Sequence, residues 1–158
     1  MRRVLFKWRS AVVVLALVIS VTGFLAAQAQ PTKASTQDGK RILIHMKEYI
    51  SQIHETAMGL ELADWLQRSG AKVTLWLELR AVRLADDRIV RAVPPGPGAR
   101  SFSAIFKSLI DHGAQVLVCR HCAELEEVGQ EHLREGARLV GVDDVAKAII
   151  ETDKILDY

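Results

Sequence analysis

The chain has 158 residues, 25% charged and 49% apolar, which suits one folded domain and leaves little for a second. Its formal charge of +2 is set by the N-terminus, where Arg2, Arg3, Lys7 and Arg9 stand among the first 29 residues without an acid. Setting those four aside leaves 17 basic against 19 acidic residues. A weakly acidic, mixed-sign remainder gives no electrostatic case for nucleic acid or anionic lipid as a partner.

The first thirty residues read MRRVLFKWRS AVVVLALVIS VTGFLAAQAQ. A basic start, an apolar run from Ala11 to Ala27 and small residues at Ala27 and Ala29 predict a secretory signal peptide over residues 1–29, cleaved before Gln30. An uncleaved anchor is the competing reading, but such a run spans roughly 25 Å as a helix against about 30 Å of hydrocarbon. The expected location is periplasmic or otherwise extracytoplasmic, with no membrane span after cleavage, and there cysteine pairs persist as disulfides. Residues 30–40, polar and without periodicity, read as a flexible leader, and 41–158 as the folded domain.

Within that domain strand and helix signals alternate. ILIHM (42–46) predicts a first strand, and Ile53 to Ser69 a helix with Met58, Leu62, Trp65 and Leu66 on one side and Gly70 as its stop. Met58 is expected in the core. KVTLWL (72–77) is a second strand. The connection from Glu78 to Arg100 holds Pro94-Pro95-Gly96-Pro97-Gly98, and its length suggests a hidden short helix and a lid or contact surface. SFSAIFKSLIDHG (101–113) has the clearest helical period, through Phe102, Ile105, Phe106, Leu109 and Ile110. QVLVC (115–119) is a third strand, apolar at consecutive positions as in a strand covered on both faces. Ala123 to Glu135 predicts a polar helix, broken near Gly129. RLVGV (138–142) is a fourth strand, Asp143 caps a helix through Thr152, and KILDY (154–158) closes as a fifth. The alternation predicts an α/β fold, a parallel sheet with helices on both faces.

Both cysteines of the chain lie in VLVCRHCAEL, residues 116–125. Cys119 ends a strand and Cys122 opens the next helix, which puts the C-x-x-C at the edge where parallel α/β sheets build their sites. A disulfide across so short a loop removes little unfolded-state entropy, so reactivity is a better reason for the pair than stability. Flanking Arg120 and His121 favour a thiolate, while Glu124, Glu126 and Glu127 oppose it. Haem attachment needs a histidine after the second cysteine, and Ala123 stands there. A soft-metal site would have to recruit His45, His54 or His121, and the pattern assigns none of them to a metal. Thioredoxin-like exchange fits the motif, but here it follows the third strand and every proline precedes it.

Other motifs fail. His54-Glu55-Thr56-Ala57-Met58 begins as a zinc-protease helix but lacks the second histidine, and the chain has no phosphate-binding glycine loop or nucleophile elbow. His112 and His132 read as solvated. His45, ending the first strand, is expected to approach the cysteine edge, either as a hydrogen-bonded strand residue or in a supporting role.

The segments LADWLQRSGAKVTLWLEL, AVRLADDR, FKSLIDHGAQVLVC and ETDKILDY, in this order and spacing, carry a resemblance to the DsrE family from about Arg41 to Tyr158. The resemblance implies a three-layer α/β/α fold on a five-stranded parallel sheet. It implies a cysteine at the end of the third strand that accepts a persulfide, and Cys119 matches that position. It also implies sulfur donor and acceptor proteins or small thiols as partners and a trimer or hexamer of one chain, and no cofactor is expected. The residues themselves add Cys122 as a resolving thiol, with Arg120 and His121 tuning the pair. The leading expectation is therefore an exported sulfur carrier or thiol-redox protein. A dithiol–disulfide oxidoreductase, a copper or zinc site, and an interaction domain with a structural disulfide are the alternatives.

Overall fold

Five short runs rich in Val, Ile and Leu become the five strands of one sheet. The computed structural model describes residues 39–89 and 98–158. The segment expected to be a signal peptide, most of the expected leader and the proline-rich part of the Glu78–Arg100 connection lie outside the described residues. The strands are β1 (Arg41–Met46), β2 (Lys72–Leu77), β3 (Gln115–Cys119), β4 (Ala137–Val140) and β5 (Lys154–Asp157). Their order is β4-β3-β2-β1-β5, and every neighbouring pair is parallel.

Strand period and register sort the side chains onto two faces. Ile42, Ile44 and Met46 align with Val73, Leu75 and Leu77, and the last two with Val116 and Val118. This face carries the main core. Against it pack α1 (Ile53–Arg68) and α2 (Phe102–Asp111), joined by a 3-10 segment at Leu79–Ala85 and the short α3 (Arg120–Leu125). Ser101 caps α2, its hydroxyl accepting the Ala104 N–H. The remaining helix, α4 (Val142–Ile150), runs from β4 at one edge to β5 at the other and shares cavities with Thr74, Trp76, Leu117 and Cys119 on the second face. The result is the expected three-layer α/β/α arrangement on a five-stranded parallel sheet.

Three local expectations are corrected. Helix α1 turns Thr56, Ala57, Leu60, Ala63 and Asp64 inward, while Met58 and Trp65 are 65% and 58% exposed. Met58 is therefore not core. The small inward side chains let the helix come close, and a Cβ on Gly59 would stand 3.1 Å from the Tyr158 ring and 3.2 Å from the Met46 methyl. The polar helix expected from Ala123 to Glu135 is only the six-residue α3, which starts at Arg120, followed by a 3-10 turn at Gln130–His132. Its end is marked by Glu127 at φ +56°. Finally, Gly141 rather than Asp143 occupies the cap of α4, and Asp143 and Asp144 lie in its first turn, where their charges favour the helix dipole.

The two core-face helices are joined by a buried charge. Asp64, fully buried, accepts from Ser108 Oγ at 2.6 Å, from Arg100 Nη2 at 2.7 Å and from Arg68 Nε at 3.1 Å. Burial alone would raise its carboxyl. The hydrogen bonds from Ser108 and Arg100 and the charges of Arg100 and Arg68 outweigh that and hold it below the ordinary carboxylate range.

Gly136, just before β4, adopts φ +84°, and a Cβ there would lie 2.6–2.9 Å from three side-chain carbons of Ile110. Both the left-handed backbone and the contact reject a side chain. Gly136→Ala is expected to destabilise by about 2–4 kcal/mol, read as a fall in the urea midpoint, whereas an unchanged midpoint would mean that this corner relaxes freely.

Candidate functional site

The site grows from where two neighbouring strands send their chains. Cys119 ends β3 directly opposite Val140 at the end of β4. From Cys119 the chain turns through α3 toward the main core, where Cys122 and Ala123 are buried. From Val140 it turns through α4 onto the other face. Adjacent parallel strands whose connections leave to opposite faces open a crevice at their C-terminal ends. Here that crevice is a cavity of about 570 Å³ walled by Trp76, Cys119, Val140, Val142, Val145 and Ile149, with Glu78, Arg120, His121 and Glu124 at its polar margin.

The two thiols are free and differ in surroundings. Cys119 is half-buried in the wall of this cavity, and its sulfur caps α3 by accepting the Cys122 N–H at 3.4 Å. Cys122 is buried and borders a separate cavity of about 300 Å³ with Lys47, Leu79 and Arg80. Burial pushes the Cys122 thiol up to about 11. Its hydrogen bond to Cys119 and the charges of Cys119 and Glu78 add to this, and the Leu79 backbone N–H works against it. Cys122 thus keeps its proton at neutral pH and donates toward Cys119. Leu79, which points its N–H at the Cys122 sulfur, does so from φ +50°, a conformation that costs a leucine about 1–2 kcal/mol.

The supporting residues divide. Arg120 and His121 are exposed at the cavity margin beside Cys119. His45 reaches the same edge, but its ring is fully engaged. Nε2 lies 2.8 Å from Glu78 Oε2 and Nδ1 2.9 Å from Asp157 Oδ1, and the imidazole stacks on Trp76 at 4.0 Å. With both nitrogens committed, His45 positions Trp76 and Glu78, which are wall residues, rather than meeting a thiol. Lys47 also binds Asp157, at 2.9 Å, and holds that carboxyl below its usual range. His54 is exposed on α1. Among the described residues no three His, Cys, Asp or Glu side chains come together in a metal-holding group, and none of the described helices is long and apolar enough to cross a membrane.

The sequence reading missed Trp76, Glu78 and the α4 wall. Trp76 had a legible signal. In KVTLWL the alternation puts Val73, Leu75 and Leu77 on one face, so Thr74 and Trp76 must occupy the other.

A family model described as DsrE/DsrF-like matches residues 40–158. The chain belongs to the DsrE/DsrF-like family. Among solved structures, this DsrE-like chain is similar to the YchN protein from E. coli, with a TM-score of 0.61 at 21% identity over 76% of this chain and 99% of that one. It is also similar to MTH1491 from Methanobacterium thermoautotrophicum, a protein of unknown function, with a TM-score of 0.52 at 14% identity over 75% and 99% of the two chains. Both likenesses concern the fold. No curated protein matches the sequence of this DsrE-like chain.

Proposed function

We propose that this DsrE-like chain is an exported sulfur carrier in which Cys119 accepts sulfane sulfur as a persulfide. The observation that carries the reading is the asymmetry of the pair. Cys119 borders a cavity large enough for a reactant, while Cys122 is buried, protonated and hydrogen-bonded to it. In the accepting step the Cys119 thiolate attacks the outer sulfur of a persulfide R–S–SH. The new bond joins Cys119 to that sulfur, the R–S bond to it breaks, and R–S⁻ leaves with no net oxidation. Cys122 then offers a second outcome. Once deprotonated, it attacks the Cys119 sulfur, closes the intramolecular disulfide and expels HS⁻, and an external thiol must reduce the pair before the next cycle. That step is also what a dithiol–disulfide oxidoreductase would use, and the Cys122–Cys119 hydrogen bond favours it as the alternative.

Delivery outside the cytoplasm is supported by the signal-peptide pattern of residues 1–29. Self-association as a trimer or hexamer is supported by apolar side chains left exposed at Met58, Trp65, Val142, Ile150 and Ile155. Donor and acceptor are thiol compounds or thiol proteins.

The test is intact mass after treating the reduced protein with a persulfide donor, beside Cys119→Ser and Cys122→Ser. One added sulfur atom, lost only in Cys119→Ser, is expected. A loss of two hydrogens without added sulfur would replace the carrier reading with disulfide exchange.

A further inference from the structure

We infer that the cavity beside Cys119 receives the apolar body of a small organic persulfide, so that this protein exchanges sulfur with hydrophobic thiol compounds rather than with hydrated inorganic sulfur species. The inference rests on Cys119 as the acceptor and adds the class of molecule it serves. A sulfur atom or a hydrosulfide ion needs almost none of the 570 Å³ available, a volume in the range of small-molecule sites. Beside the thiol the walls are Val140, Val142, Val145, Ala146 and Ile149, all without a polar side-chain atom. They offer nothing to an anion and a favourable surface to hydrocarbon.

The charges that do face the cavity are mixed in sign. Arg120 stands with Glu78 and Glu124 beside His121, so the margin does not select a strongly anionic molecule such as thiosulfate. Seated with its hydrocarbon against α4, R–S–SH would present its outer sulfur to Cys119, and R–S⁻ would leave through the same cavity.

The experiment uses the full chain, reduced, with methyl, butyl and octyl hydropersulfides at equal concentrations. It reads the initial rate of the one-sulfur adduct on Cys119. Burial of each added methylene should raise the apparent second-order rate about threefold to fourfold until the cavity is filled, so butyl should exceed methyl by more than tenfold. Ala146→Phe, which projects a ring into the space, should collapse the octyl-to-methyl ratio toward one. Equal rates for all three donors would overturn the substrate class while leaving Cys119 as the acceptor. Equal rates together with a changed assembly size for Ala146→Phe in sedimentation would assign the cavity to a second copy of the chain instead. No adduct from any donor would overturn the acceptor reading on which the inference rests.

Discussion

Asp64→Ala is expected to destabilise the protein by about 2–4 kcal/mol, a shift of roughly 1–2 M in the urea midpoint for a domain of this size. The side chain is fully buried and receives Ser108, Arg100 and Arg68. Most of the loss comes from Ser108, a hydrogen bond to a charged group in the interior. The arginines contribute less, because both guanidinium groups are exposed enough to turn toward water. Asp64→Asn, which keeps an acceptor for Ser108, should recover part of the loss. The effect is also pH-dependent. The folded carboxyl titrates below its unfolded value of about 3.9, so its stabilisation is present above that pH and disappears as pH falls through the folded value. Wild type and Asp64→Ala should therefore converge in acid. A midpoint shift below roughly 0.3 M at pH 7 would mean that the pair of helices does not depend on this charge.

The second large effect is chemical. At pH 7.5 iodoacetamide should modify Cys119 and leave Cys122 intact, with peptide mass mapping after timed quenching as the readout. A thiol held at about 11 carries roughly 300-fold less thiolate at this pH than an ordinary cysteine near 8.5, and burial slows the reagent further. The Cys122 rate should climb about tenfold per pH unit up to its folded value. In Cys119→Ser the repulsion from a neighbouring thiolate is gone, so Cys122 should react sooner although it remains buried. The same shift has a thermodynamic counterpart of opposite sign to that of Asp64. The folded value lies above the ordinary one near 8.5, so the contribution of Cys122 is complete below about pH 8.5 and is lost as pH rises through about 11. Equal labelling of both cysteines at pH 7.5 would remove the basis for giving them different roles.

The sheet was legible because parallel strands covered on both faces read as apolar runs, and QVLVC and ILIHM are such runs. Placing Cys119 at the C-terminal edge followed from strand–helix alternation alone. What remained hidden was long-range. Two stripes run along α1, one mostly of small residues around Leu60 and one of Met58, Leu62, Trp65 and Leu66, of which Leu66 still packs against the core. Periodicity ranks the bulkier stripe as core, although close approach to the sheet demands the smaller one. The early start and end of α3 rest on Cys119 capping it and on Glu127 turning left-handed, neither of which has a signal as clear as a serine or a glycine. The outer wall of the cavity was unreadable for a third reason. Val142, Val145 and Ile149 belong to a helix between β4 and β5, and only the strand order across the sheet brings that helix over Cys119.

That crossing helix is also the least buried of the four α-helices. No residue of α4 is buried, and Val142 and Ile150 remain 80% and 82% exposed, whereas β1 to β3 hold Leu43, Ile44, Leu75, Leu77, Leu117 and Val118 wholly inside. An element with so little buried surface separates from its neighbours at a small fraction of the free energy of complete unfolding. Cys119 is thus fixed to the most deeply buried strands of the protein, while the helix facing it is among the least buried elements of the chain taken singly. On the reading proposed above, a bulky thiol compound would enter and leave past that helix without disturbing the geometry of the strand that carries Cys119.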